Sequence, residues 1–151
     1  MVIKKSKKGF TLLELTVALA ILIIAAAGVF AATRHTERRA LEHASLTLQA
    51  DLRYAQRRSM LEGRSFGVFF EPARNRYSVV SVSPDRIIRT VYLEGGVNIA
   101  STSGARLHFL PRGTASGGFT VNLRNGVYWQ RLTATVSGGR IQIHEITTTN
   151  E

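Results

Sequence analysis

The N-terminal part of the chain changes abruptly from a polar leader to an apolar run. Leu15 to Ala32 contains no charged residue. A helix of that length spans roughly 27 Å at about 1.5 Å per residue, close to the ~30 Å hydrocarbon core of a bilayer. We therefore predict a transmembrane helix over residues 10–33, preceded by a polar leader at residues 1–9.

The helical pattern continues past this apolar run and becomes amphipathic. No proline, and no glycine apart from Gly28, interrupts Phe10 to Glu62, so we predict one long helix that ends at a Gly63 cap. Small and apolar residues at spacings of three and four form one face of its second half: Leu41, Ala44, Leu48, Leu52, Ala55 and Ser59. That amphipathic half, residues 34–62, is expected to pack on a β-sheet.

After Gly63 the hydrophobic period changes to two, which predicts a β-rich domain over residues 63–151 and an α+β fold. The predicted strands are Ser65–Phe70, Arg76–Val82, Ile87–Leu93, Leu107–Leu110, Phe119–Leu123, Val127–Val136 and Arg140–Ile146. Asn125-Gly126 predicts a type I′ hairpin, and Gly138-Gly139 predicts a second turn. Thr147–Glu151 is expected to be a frayed tail.

Composition adds a strong positive charge to this picture. The chain has 20 basic and 10 acidic residues, a formal net charge of +10, and no cysteine. Disulfide and thiol chemistry are therefore excluded. Every lysine lies within Lys4–Lys8, so all later basic residues are arginines. Arginine suits bidentate contacts with phosphate or carboxylate, although genomic codon bias explains the preference at least as well.

A single carboxylate, Glu14, lies at the head of the apolar run. A charge near membrane depth costs roughly 2–3 kcal/mol on insertion scales, so Glu14 requires a partner. The stretch Lys-Lys-Ser-Lys-Lys-Gly-Phe-Thr-Leu-Leu-Glu at 4–14 resembles the type III signal of type IV pilins and pseudopilins. The resemblance implies that prepilin peptidase cleaves between Gly9 and Phe10 and methylates the new amine of Phe10. It also implies that Glu14 acts in assembly, by pairing with the amine of its own or a neighbouring subunit.

An ordinary secretory signal peptide is the alternative reading of the same stretch. It shares the basic start and the apolar core, and Ala25-Ala26-Ala27 is a small-residue cleavage site. The product would be a secreted β-domain. Thr11 and Glu14 argue against it because they interrupt the apolar core, and the helical pattern continues unbroken past Ala32.

Two further stretches resemble the GspH/FimT family. They are Leu52–Gly63 followed by Val68-Phe69-Phe70, and Phe109–Phe119 with Gly139-Arg140. The resemblance implies a pilin lollipop, in which the long N-terminal helix packs its amphipathic half on small antiparallel sheets. It implies a minor subunit of a type II secretion pseudopilus or a type IV pilus, at or near the filament tip.

The same resemblance predicts the partners and the location of the protein. The expected partners are prepilin peptidase, other minor and major pilins or pseudopilins, and inner-membrane lipid. The precursor is expected to cross the inner membrane once, with a cytoplasmic N-terminus that follows the positive-inside rule and a periplasmic C-terminal domain. After processing, it is expected in the pilus or pseudopilus.

DNA binding in natural transformation is an alternative function of this family. Some FimT-like members bind DNA through a C-terminal Gly-Arg-x-Arg motif, whereas this chain has Gly139-Arg140-Ile141-Gln142 and lacks the second arginine. Basic residues nevertheless exceed acidic ones after Gly63, which favours salt-dependent phosphate contacts. The candidate DNA-binding residues are Arg112, Arg124, Arg131 and Arg140, with Tyr128 and Trp129 as stacking partners.

We find no pattern that predicts catalysis. His35, His43, His108 and His144 form no close metal-type pair, and nothing local links Asp51 or Asp85 to a catalytic triad. The sequence therefore predicts neither an enzyme nor a bound cofactor or metal.

Overall fold

The computed structural model describes residues 12–82 and 84–148, without the side chains of residues 27–35 and 137. It divides into two compact units, Met1–His35 and Thr36–Glu151. Helix α1 extends from Leu12 to Glu62 and continues through Gly28, so this glycine does not break it. The predicted leader at residues 1–9 lies outside the described residues, as does Phe10.

In the first unit, the described apolar side chains of α1 are exposed. Each of the large ones from Leu12 to Ile24 is more than half accessible. Among the described residues, no helix combines the length and the hydropathy needed to cross a membrane. The predicted span extends past Ala26, the last residue before the undescribed side chains, and the assignment of residues 10–33 stays a prediction.

In the second unit, α1 has the amphipathic character that its sequence predicts. Leu41, Leu48, Leu52, Ala55 and Ser59 are at most 2% exposed, which confirms the predicted face. Gly63 follows the last helical residue with φ +63°, a left-handed conformation that glycine adopts without steric cost. The predicted C-cap is therefore confirmed.

The strands form two antiparallel sheets. Their bounds are β1 Phe66–Glu71, β2 Arg76–Val82, β3 Asp85–Tyr92, β4 Asn98–Thr102, β5 Arg106–Phe109, β6 Phe119–Asn125, β7 Tyr128–Ala134, β8 Ile141–Ile143 and β9 Thr147–Thr148. Sheet A has the order β3-β2-β1-β5. Sheet B has the order β4-β6-β7-β8, and β9 also pairs with β7. This arrangement confirms the predicted α+β class.

One hydrophobic core joins α1 to both sheets. Leu48 and Leu52 of the helix belong to the same buried cluster as Phe70 of sheet A and as Val121 and Leu132 of sheet B. The rings of Phe70 and Phe119 stack with centroids 5.1 Å apart, which connects the two sheets directly.

The hairpin between β6 and β7 differs from its prediction by one residue. Asn125 remains in the strand and pairs with Tyr128, so the loop consists of Gly126 and Val127. Gly126 has a positive φ and Val127 does not, which excludes the predicted type I′ turn and fits type II′. Asn125 is held in the strand because its buried amide donates to the carbonyl oxygens of Glu37 (3.0 Å) and Gly95 (2.9 Å).

Two other predictions require correction. Strand β4 was not predicted, because Asn98–Thr102 lacks a regular apolar alternation; its pairing with β6 shifts register between Ile99 and Ser101. The predicted frayed tail is wrong at Thr147 and Thr148, which pair with Trp129 and Tyr128 of β7.

Candidate functional site

The N-terminal candidate residues lie at the limit of the described chain. Gly9 and Phe10 fall outside it, so their cleavage and methylation stay predictions. Glu14 lies in the first turn of α1 and is exposed, between the exposed leucines Leu13 and Leu15. An anion near a helix N-terminus is favoured by the helix dipole.

Three of the four candidate arginines share one surface, the outer face of sheet B. Along β6, Val121, Leu123 and Asn125 are buried, so Arg124 points to the opposite face. The same alternation places Arg131 of β7 on that face, since Leu132 is buried. Arg140 precedes buried Ile141 at the edge strand β8 and lies on the outer face too.

An aromatic ring and polar side chains occupy the space between these arginines. The Arg124 guanidinium lies 5.1 Å from the centroid of the Trp129 ring, a cation–π distance. Arg131 donates to the side-chain oxygen of Asn122 at 3.0 Å. Beside them, Trp129, Arg131 and His144 line an open groove of about 580 Å³.

The fourth candidate, Arg112, lies away from this face, in the loop that follows β5. It precedes Gly113, whose carbonyl oxygen accepts a hydrogen bond of 2.8 Å from the side-chain amide of Gln56. The same amide donates to Gly139, the residue before Arg140, at 3.1 Å. Gln56 therefore holds the backbones next to Arg112 and Arg140 against one turn of α1.

Sequence reasoning missed a buried polar cluster that joins α1 to sheet A. Asp51 is 3% exposed, accepts a 2.8 Å hydrogen bond from the Tyr77 hydroxyl, and forms an ion pair with Arg89. Burial raises the pKa of Tyr77 above its usual value, so the hydroxyl keeps its proton and acts as a donor. The available signal was the position of Asp51, next to Leu52 on the apolar face.

Among residues 12–82 and 84–148, no group of three histidine or acidic side chains is placed to hold a metal ion. The described side chains therefore offer binding surfaces: the outer face of sheet B, and grooves alongside α1. A helix packed on antiparallel sheets, with such surfaces, defines a pilin-type fold.

Comparison with solved structures agrees with this class. The minor pseudopilin EpsH from the type 2 secretion system of Vibrio cholerae superposes with a TM-score of 0.60 at 15% identity, covering 69% of this chain and 95% of EpsH. The type IV minor pilin FimU of Pseudomonas aeruginosa superposes with a TM-score of 0.60 at 20% identity, covering 73% and 92%. No curated protein matches the sequence of this chain.

Two family models match the chain and place it in a family. The prokaryotic N-terminal methylation motif matches residues 4–30, and the type II transport protein GspH matches residues 44–142. The chain belongs to the GspH family, and it is a pilin-like protein of the GspH/FimT type.

Proposed function

We propose that this protein is a minor pilin or pseudopilin, assembled at or near the tip of a type II secretion pseudopilus or a type IV pilus. The observation that carries the proposal is the joining of two signatures in one chain. The methylation motif at 4–30 precedes a GspH domain at 44–142, and α1 runs from Leu12 to Glu62 through both.

The N-terminal residues have a defined role in this proposal. Prepilin peptidase cleaves between Gly9 and Phe10 and methylates the amine of Phe10. The precursor is held in the inner membrane by residues 10–33, with its C-terminal domain in the periplasm, and this segment later enters the filament core. Glu14 pairs there with an N-terminal amine, which offsets the roughly 2–3 kcal/mol cost of a carboxylate in apolar surroundings.

Processing and assembly are tested separately. The protein is produced with and without prepilin peptidase, and its N-terminus is identified by mass spectrometry. We expect an N-methylated Phe10 with the peptidase and an intact leader without it. A chain that begins after Ala27 would instead show signal-peptidase cleavage and overturn the proposal.

Glu14→Ala tests the assembly role. This variant should be cleaved normally yet enter filaments poorly, because the amine loses its counter-charge. Glu42→Ala is the matched control, since Glu42 is an exposed acid on the same helix. Equal incorporation of both variants, quantified in sheared filaments, would exclude the pairing role.

DNA binding is a second candidate function, and the outer face of sheet B favours it. Arg124, Arg131 and Arg140 lie there with a partly exposed Trp129, a combination that suits phosphate contacts and base stacking. Glutamine at 142 in place of the second motif arginine argues for weaker binding than in FimT-like proteins that have both.

The test uses the full chain in neutral detergent, titrated with single-stranded DNA at several salt concentrations. If the candidate function holds, the triple variant R124Q/R131Q/R140Q lowers the salt slope by about 2–3, because each lost phosphate contact removes roughly 0.7–0.9. The control R39Q/R53Q/R57Q removes the same charge from exposed positions of α1. Equal losses in the two variants would indicate non-specific attraction and remove DNA binding from consideration.

A further inference from the structure

A cavity at the carboxyl end of α1 is lined by three arginines from three parts of the chain. Arg58 lies near the end of the helix, Arg64 follows it, and Arg86 lies on β3; with Glu62, they line a volume of about 310 Å³. This volume is at the lower end of the roughly 300–1,000 Å³ range of ligand pockets. We refer to it as the arginine cavity.

Arg58 is held in a fixed orientation inside the arginine cavity. Its Nε donates to the Glu62 carboxylate, and its Nη1 donates to the Tyr54 hydroxyl at 2.7 Å. The guanidinium also lies 5.0 Å from the centroid of the Phe66 ring. The hydrogen bond to Glu62 raises the pKa of Arg58 further, so the group stays charged. A guanidinium fixed in this way loses little conformational entropy when it binds a ligand.

The cavity carries more positive charge than its own acid neutralises. Glu62 is the one acidic side chain among its described lining residues, and Arg58 is paired with it. Arg64 and Arg86 are exposed and form no ion pair with any described residue. Two positive charges therefore face the opening without an internal partner.

The chemistry of the arginine cavity selects among anions. Guanidinium groups bind carboxylates and phosphates through paired, charge-assisted hydrogen bonds. Glu62 and the negative end of the α1 dipole both oppose a doubly charged anion more strongly than a singly charged one. The apolar wall formed by Phe66, Ile87 and Ile88 suits the methylene groups that carry a side-chain carboxylate.

We propose that the arginine cavity binds a carboxylate group of a partner protein, from an acidic side chain or a chain terminus. Arg64 and Arg86 hold the two carboxylate oxygens, and Arg58 orders the base of the site. That the partner is another pilin-type subunit rests on the proposed function. Carboxylate binding itself does not, so a failed peptide titration and a failed processing experiment are distinguishable.

The test is a peptide titration of the full chain in neutral detergent. The arginine side-chain N–H signals are followed by NMR while a doubly capped tetraglutamate peptide is added, with the capped tetraglutamine peptide as reference. We expect the signals of Arg58, Arg64 and Arg86 to shift with tetraglutamate and to stay unchanged with tetraglutamine. Tetraglutamine with a free C-terminus then distinguishes a terminal carboxylate from a side-chain carboxylate as the source.

The double variant R64Q/R86Q should weaken tetraglutamate binding about tenfold or more, because it removes two charge-assisted hydrogen bonds. The control R53Q/R57Q loses the same charge from exposed positions of α1 and should bind within about twofold of the parent, since surface charges act weakly at a distance. Thermal unfolding of both variants verifies that the fold is kept.

Three outcomes would overturn the proposal. Equal weakening in the two double variants would show non-specific attraction. Shifts confined to arginines outside the cavity would place the peptide elsewhere. Inorganic phosphate that binds the same three arginines more tightly than tetraglutamate would make the cavity a phosphate site.

Discussion

Two segments of one helix have opposite surroundings. In the N-terminal segment of α1, residues 12–26, every described side chain is exposed, including the large apolar ones. In the C-terminal segment, residues 36–62, the apolar stripe is buried against two sheets. The C-terminal segment obtains its stability inside the chain, whereas a helix that is apolar on all sides is stable only against an apolar partner. The contrast shows that assembly information lies in the N-terminal segment and folding information in the C-terminal one.

The largest expected effect comes from truncating a leucine in each segment. Leu52→Ala should reduce the free energy of unfolding by about 2–5 kcal/mol, because Leu52 is 2% exposed and its removal leaves a cavity. Leu22→Ala, at a side chain that is 65% exposed, should change it by less than about 0.5 kcal/mol. Denaturant unfolding of the full chain in neutral detergent measures both. Equal destabilisation would show that the N-terminal segment also contributes to the folded core.

A buried charge gives the second comparison. Asp51→Ala should cost about 2–3 kcal/mol, since it leaves the buried Tyr77 hydroxyl without its acceptor. Arg89 limits the loss because its side chain is 55% exposed and turns to water. Glu42→Ala removes an exposed acid from the same segment and is expected to be nearly neutral. If thermal unfolding cannot separate the two variants, the Asp51 cluster does not stabilise the fold.

Gln56→Ala should have a smaller effect, about 1–2 kcal/mol, because two carbonyl oxygens lose their donor. Hydrogen exchange should also become faster in the loops around Gly113 and Gly139. Arg57→Ala, at the next and exposed position, is the control. Unchanged exchange in the Gln56 variant would mean that the two loops are ordered without this side chain.

The smallest expected effect is a pH dependence at the start of sheet A. The hydrogen bond from Arg76 lowers the pKa of Glu71 below its usual 4.5, so this pair stabilises the fold above that pH and less as the pH falls through the lower folded-state value. Glu71→Gln should therefore lose less stability than the parent on acidification below pH 4.5. Parallel stability curves of parent and variant, measured by denaturant unfolding, would contradict this assignment.

The sequence predicted those elements whose hydrophobic period is regular. The stripe on α1 and the alternation in β1, β2, β6 and β7 all report burial on one face, and the structure confirms them. Strand β4 was missed because its register shifts between Ile99 and Ser101, which breaks the alternation. The β6–β7 turn was misplaced because Asn125 is a preferred turn residue by type, whereas its buried amide is needed to bridge Glu37 and Gly95.

The candidate sites were less predictable than the fold. Arg124 and Arg131 share a face only through the β6–β7 register, which turn placement controls. The arginine cavity gathers Arg58, Arg64 and Arg86 from the helix, the following loop and β3, and no local pattern connects them. Gln56 was overlooked since a glutamine on a helix is usually solvated; its two carbonyl partners lie 57 and 83 residues away in sequence.

The two side-chain amides that join α1 to sheet B have a mechanical consequence. Asn125 attaches the end of β6 to the carbonyl of Glu37, and Gln56 attaches the residue before Arg140 to the helix about five turns later. A pull along α1 therefore loads these two attachments in parallel, in shear, so that neither opens until both are strained. We expect Asn125→Ala to lower the rupture force in single-molecule stretching, and an unchanged force would show that the apolar packing carries the load.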